Sequence, residues 1–145
     1  MARQQRVDIG ALAAQIQLIK EQIDALQAYL QQLLQSRDSV VKAINSINTI
    51  RNVEGNIMVY LDPHLNAAIS AGITDRNILV HLGLNVYAKL SFDEAVSILE
   101  ERRARLDKAI ENTRSTIANL IALHDRYQSV LQSAISEAEA KKSRG

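Results

Sequence analysis

Residues 80–103 read VHLGLNVYAKLSFDEAVSILEERR. The stretch changes its period halfway. Ile78 to Leu82 and Val86 to Leu90 are two short runs of β-formers, and Gly83 between them marks a bend or bulge. At Ser91 the pattern turns helical. Ser91-Phe92-Asp93-Glu94 is a capping box, in which the Ser91 hydroxyl can accept from the Glu94 N–H and the Glu94 carboxylate can reach back. Asp93 and Glu94 also suit the positive end of a helix dipole.

Reading outward toward the N-terminus, Asn56-Ile57-Met58-Val59-Tyr60-Leu61 is another β-rich run, and Asp62-Pro63-His64 is a turn signal. Leu65 to Ile69 is expected to return as a strand. Gly72 and Thr74-Asp75-Arg76-Asn77 are expected to be loop. Four short strands make two hairpins. Two hairpins alone are marginal and leave open edges, so they call for strands from other chains.

Beyond this insert the breakers stop. No Gly or Pro occurs from Ala11 to Glu54 or from Leu84 to Arg144, while Gly55, Pro63, Gly72 and Gly83 all fall between. Two long helices therefore flank the insert. The first carries a heptad: Ile9, Leu12, Ile16, Ile19, Ile23, Leu26, Leu30, Leu33, Arg37, Val40, Ile44 and Ile47. Only Arg37 in that series is not aliphatic. The second runs Val96, Leu99, Arg103, Leu106, Ile110, Thr113, Ile117, Leu120, His124, Tyr127, Leu131, Ala134 and Ala138. A repeat of 3.5 residues keeps one seam facing a partner helix in a left-handed supercoil. Gln crowds the flanks of the first helix, with nine of the eleven Gln before Ser36. It is a good helix former that solvates the outer face without charge repulsion.

Helices of about 43 and 50 residues would be roughly 65 and 75 Å long. The short insert folds them back as an antiparallel pair. The expected register sets Ile16 opposite Tyr127, Ile19 opposite His124, Ile23 opposite Leu120, and Leu26 opposite Ile117. Farther along it sets Arg37 opposite Leu106, Val40 opposite Arg103, Ile44 opposite Leu99, and Ile47 opposite Val96. Arg37 and Arg103 are expected to turn their guanidinium groups outward to solvent. The fold class is α+β: a long antiparallel coiled-coil hairpin with two β-hairpins inserted between the helices. The 145 residues are read as one domain, 1–145. Its N-terminal helix spans 8–50, its hairpins 55–90 and its C-terminal helix 92–142.

Composition closes several routes. The chain has no Cys, which excludes disulfides and thiolate metal sites and fits a reducing or hot compartment. No apolar run reaches about 18 residues, so no spanning helix is expected. The start, MARQQRVDIG, lacks an apolar signal core, so no export is expected. The formal net charge is +1, and basic and acidic groups balance along the chain. Arg102, Arg103 and Arg105 are neutralised by Glu100, Glu101 and Asp107, and no aromatic interleaves them for base stacking. A nucleic-acid-binding arm is therefore disfavoured. His64, His81 and His124 have no metal-ligand spacing, and no phosphate loop or nucleophile elbow occurs. No enzymatic activity, cofactor or metal is expected.

The whole arrangement resembles the alpha-class subunit of prefoldin, the archaeal and eukaryotic co-chaperone, and archaeal members most. Gly83, Tyr87, Ser91, Glu94 and Ala95 match the family's Gly within the hairpin, its aromatic strand and its capped helix. Ile57 to Leu61 matches its first strand. The sequence departs at Asn66-Ala67-Ala68-Ile69, where the family usually has aromatic or β-branched residues and a Gly-Lys turn. The insert is too long for the beta class, which has one hairpin in place of two. The resemblance implies a cytoplasmic hexamer of two alpha-class and four beta-class subunits. Its strands would form a double β-barrel body with coiled-coil arms. The arm tips would hold non-native proteins and pass them to a group II chaperonin without nucleotide or membrane.

Two sets of residues are candidates for these tasks. The flanks of the second helix's seam are mostly polar early on, but later include Ile121, Leu123, Val130 and Ile135. In the antiparallel register these lie at the free end beside Val7, Ile9, Leu12 and Leu18, with Tyr127 and Leu131 in the seam. A two-stranded coil needs only its seam, so these extra aliphatics either pack on a third helix or form an apolar groove for unfolded chains. The assembly surface is expected to use Ile57, Val59 and Leu61, with Ile78, Val80, Leu82, Val86 and Tyr87. The alternative function is a coiled-coil scaffold or adaptor that joins defined folded partners.

Overall fold

The computed structural model describes residues 7–145. Six elements follow one another: α1 (Ile9–Arg51), β1 (Asn56–Tyr60), β2 (Ala68–Gly72), β3 (Ile78–Gly83), β4 (Val86–Leu90) and α2 (Phe92–Ser143). The described residues divide into two compact units, 7–34 with 108–145, and 35–107. Segments of α1 and α2 contribute to both.

The first unit is a helix pair closed by its heptad seam. Ile19 and Ile23 of α1 and Ile117 of α2 are buried together, with Leu26, Leu30, Leu120, Leu123 and Tyr127 packed against them. The expected pairs Ile23/Leu120 and Leu26/Ile117 share this cluster. Ile16, Leu33 and Ile110 are buried as well. Thr113 is the buried polar residue of the seam. Its hydroxyl donates to the Ala109 carbonyl at 2.7 Å, so the polar group is satisfied without a cross-helix partner. His124 is half-buried, its Nδ1 3.3 Å from Asp125 Oδ1.

The second unit has a mixed core. Ile44 and Ile47 of α1, Val80 of β3, and Ala95 and Leu99 of α2 are buried together. Ile78, Leu90, Phe92 and Val96 pack around them. The hairpin β3–β4 thus lies on the helices, and Ala95 is fully enclosed. Ser91 caps α2, its Oγ accepting from the Glu94 N–H at 3.2 Å. Arg76 serves the end of α1. Its guanidinium donates to the carbonyls of Arg51 and Val53 at 3.3 and 3.4 Å, groups that have no helical donor. Arg51 Nη2 in turn lies 2.8 Å from Asp93 Oδ1, linking the end of α1 to the start of α2.

Each hairpin is a separate two-stranded antiparallel sheet. In the first, Asn56 pairs with Gly72 and Tyr60 with Ala68. In the second, Ile78 pairs with Leu90 and His81 with Tyr87, and the register slips between His81 and Gly83. Gly83 is therefore the expected bulge, with φ +115°. Leu84 and Asn85 follow at φ 50° and 60°, the two left-handed residues of a tight hairpin turn. Asn is at home there. Leu is not: the left-handed region costs a bulky L-residue about 1–2 kcal/mol.

Two expectations need correction. The return strand is Ala68–Gly72 in place of Leu65 to Ile69, and Gly72 belongs to it. Asp62 is the cause. Its carboxylate accepts from the backbone N–H of His64 and Ala67 and from Asn66 Nδ2, at 2.9–3.0 Å, so the turn extends to Ala67. The arginines of the second helix-pair segment do not simply turn to solvent either. Arg37 Nε donates to Asp107 Oδ1, and Arg103 Nε lies 3.9 Å from the other carboxylate oxygen. Arg103 also approaches Glu100 at 3.8 Å. Two seam arginines thus converge on one flanking aspartate, and each remains half-exposed.

Candidate functional site

The described residues carry two apolar surfaces. The first belongs to the helix pair of residues 7–34 and 108–145. Val7, Ile9, Leu18, Ile121, Val130 and Ile135 are exposed large apolar side chains there, Leu18 the most open at 58%. The other candidates from the same end have different surroundings. Leu12 and Leu131 are half-buried. Leu123 and Tyr127 pack against the buried Ile19–Ile23–Ile117 cluster. The expected apolar stripe therefore splits into a seam that holds the helices together and residues on either side of it that face outward.

The second surface belongs to the hairpins of residues 56–90. In β3–β4 the two faces are sharply different. Ile78, Val80, Ala88 and Leu90 turn to the helices, and Val80 is 4% exposed. Leu79, His81, Tyr87 and Lys89 turn away, and Leu79 is 67% exposed. Ile78 and Val80, expected among the assembly residues, thus belong to the core of their own chain. Leu79, which the sequence reading left out, is on the open face. A shift of one residue along a strand exchanges its faces. Leu82, Val86 and Tyr87, also expected among the assembly residues, are exposed. The His81 and Tyr87 rings sit 5.0 Å apart, tilted by 51°. Arg102 reaches the His81 carbonyl with its guanidinium.

The first hairpin packs on no buried cluster of the described residues. Val59 and Leu61 are exposed, as are Met58, Tyr60, Leu65 and Ile69, while Ile57 is half-buried. Both faces of β1–β2 are thus apolar and open. The uniform run Ile57-Met58-Val59-Tyr60-Leu61 carried that signal, since no face of it is polar. Single isolated hairpins are marginal in water, so such a surface is suited to burial against further strands.

Charged groups fix the loops. Desolvation acts to raise the Asp62 carboxyl, but the hydrogen bonds from Ala67, Asn66 and His64 outweigh it and hold the group below the ordinary carboxylate value. Asp75 is also held below that value, first by its bond to the Lys89 ammonium and then by Asn77. His64 lies in the turn between β1 and β2, His81 on β3 and His124 on α2. Among the described residues no group of three or more His, Cys, Asp or Glu is placed to hold a metal ion. No described helix is long and apolar enough to cross a membrane. The chemistry these surfaces offer is non-directional apolar burial, framed by hydrogen-bonded turns.

Comparison with known proteins agrees with this architecture. A family model described as "Prefoldin subunit" matches residues 19–137. The chain belongs to the prefoldin family. It is 34% identical to prefoldin subunit alpha of Aeropyrum pernix over 135 residues, covering 92% of this chain and 89% of that one. It is 30% identical to prefoldin subunit alpha of Saccharolobus islandicus strain L.S.2.15 over 141 residues, covering 96% and 95%. Against the alpha subunit of Sulfurisphaera tokodaii the identity is 26% over 140 residues, with 96% and 92% covered. The resemblance to archaeal alpha-class prefoldin is thereby established. A chain of filamentous PFD from Methanocaldococcus jannaschii, seen by cryo-EM, shares the fold with a TM-score of 0.63 at 17% identity. That match covers 79% of this chain and 95% of the other. The expected fold, two long helices with two antiparallel hairpins between them, is the prefoldin fold.

Proposed function

We propose that this prefoldin chain is a cytoplasmic, ATP-independent co-chaperone subunit. It assembles through its hairpins with beta-class subunits, as two alpha and four beta chains. It holds non-native proteins on the aliphatic flank of its coiled coil and delivers them to a group II chaperonin. No reaction is catalysed, because the work is binding and release.

The observation that carries the reading is the exposure of Leu18, Ile121, Val130 and Ile135 beside the seam of a coil already closed by that seam. A two-stranded coil gains nothing from these side chains. Aliphatic surface suits unfolded clients, since its attraction scales with area and demands no particular partner sequence. The open faces of β1–β2 support assembly in the same way.

The test is to mix the chain with a beta-class prefoldin subunit, measure the mass of the complex, and add a denatured client. The expected result is a hetero-hexamer that suppresses client aggregation without nucleotide. A chain that binds folded partners at fixed stoichiometry and ignores denatured ones would instead be a scaffold.

A further inference from the structure

The two hairpin turns share an unusual feature. Each places a leucine in the left-handed region: Leu65 at φ 62° in the Asp62–Ala67 turn, and Leu84 at φ 50° between β3 and β4. Both side chains point into open surroundings, and Leu84 is 98% exposed. Turns of this kind favour Gly, Asn or Asp, because only those residues enter the left-handed region at little cost. A leucine there lowers the hairpin's own folding equilibrium by about 5- to 30-fold. Its exposed side chain returns nothing to the chain that bears it. The isolated chain is thus worse off twice at the same two positions.

Neighbouring residues extend each turn into an apolar end. Leu82 and Val86 flank Leu84, and Leu61 precedes the turn that holds Leu65; all are exposed. Met58, Tyr60, Ile69, Leu79 and Tyr87 are exposed as well, so each hairpin carries open apolar side chains on its strands as well as at its turn. Each turn leucine lies within four residues of exposed large apolar residues of the same hairpin.

We propose that Leu84 and Leu65 are apolar anchors that seat in the β-strand body of a neighbouring prefoldin subunit. The occupant is another subunit of the same assembly, because the turns continue the open strand faces and not the coil flank. This inference rests on the assembly reading above and adds that the turns themselves, besides the strand edges, set the affinity between subunits.

The experiment uses full-length wild type, Leu84→Asn, Leu65→Asn and Leu84→Met, each mixed with a beta-class prefoldin subunit. Urea denaturation follows each chain alone, and complex mass on serial dilution gives the dissociation constant. Asn relieves the backbone, so both Asn variants are expected to fold as well as wild type or better. Their assembly is expected to weaken by about 10- to 100-fold for each buried leucine lost. Leu84→Met is expected to keep assembly within a few-fold of wild type. Stability and assembly thus move in opposite directions, which a merely structural turn residue cannot produce.

Asn variants that assemble as tightly as wild type overturn the anchors and leave the assembly reading standing. Variants whose assembly weakens only in proportion to their own unfolding also overturn them. Loss of client protection with intact assembly overturns them in favour of a client contact. Wild type that stays alone in the mixture overturns the assembly reading itself.

Discussion

Replacing Ile121, Val130 and Ile135 together by Ser removes the exposed aliphatic residues on both sides of the α2 seam while sparing the seam itself. About 40% of each residue is open, at 41%, 42% and 39%. Full burial of such a side chain is worth about 1.5–3 kcal/mol, so the open part of each can give a client roughly 0.6–1.2 kcal/mol. The three together then amount to about 2–3.5 kcal/mol, or a ~30- to 300-fold weaker hold on a client. The assay is light scattering of a denatured client, titrated with the assembled chaperone. Helix content and complex mass serve as controls. The half-saturating concentration is expected to rise by about 30- to 300-fold with both controls unchanged. Leu123→Ser is the contrast: it is expected to lower coil stability, because Leu123 packs against the buried cluster. A triple variant that is intact and still protects the client within about threefold of wild type refutes the flank as the holding surface.

Other consequences concern the second unit. Asp107→Ala leaves Arg37 and Arg103 without their shared carboxylate. The pair is half-exposed, so a loss of about 1 kcal/mol is expected in urea unfolding, shrinking as NaCl rises to about 0.5 M. Gly83→Ala meets no atom within 4 Å, so its whole effect is backbone. At φ +115° it is expected to destabilise β3–β4 by about 1–2 kcal/mol, read as lost amide protection in His81 to Tyr87. Asp62 and Asp75 are both held below their ordinary values. Their contribution is complete above the unfolded carboxylate range, near 4, and disappears as pH falls through the lower folded values. Amide exchange in residues 62–67 is expected to be steady from about pH 7 to 5, after correction for intrinsic rates. It should then accelerate in acid, and Asp62→Asn should remove that acid step for this turn.

The helices were legible because their periodicity is redundant. Arg37 is one exception among twelve seam positions, and a single exception does not move a heptad. Ser91 announced the start of α2 through its cap, and Gly83 announced the bulge. Strand faces were harder to read. Ile78, Leu79 and Val80 are all aliphatic, so no polar residue marks which side meets the helices. Only the packing of Val80 on Ile44, Ala95 and Leu99 decides it. The position of β2 was hidden for another reason. Ala68-Ile69-Ser70-Ala71-Gly72 has little β-preference, and its start depends on how far the Asp62 carboxylate reaches into the turn. At the coil end the aliphatic excess was visible, but Leu123 and Ile121 look alike in sequence. One packs on the seam and the other faces out. The leucines at the turns carried no warning, since nothing in the residue type foretells a left-handed backbone.

The two open faces of β1–β2 also bear on subunit balance inside a cell. Under the proposed assembly this hairpin's core lies in its neighbours, and it is ordered only as far as mass action allows. Partners at a hundredfold excess over the dissociation constant add about 2.7 kcal/mol to it, and absent partners add nothing. A chain made in surplus would keep its helices but fray first at residues 56–72. Proteases cut frayed segments, so orphaned chains would be cleared ahead of assembled ones. The same hairpin would then serve both as a joint and as a gauge of whether the joint had been made.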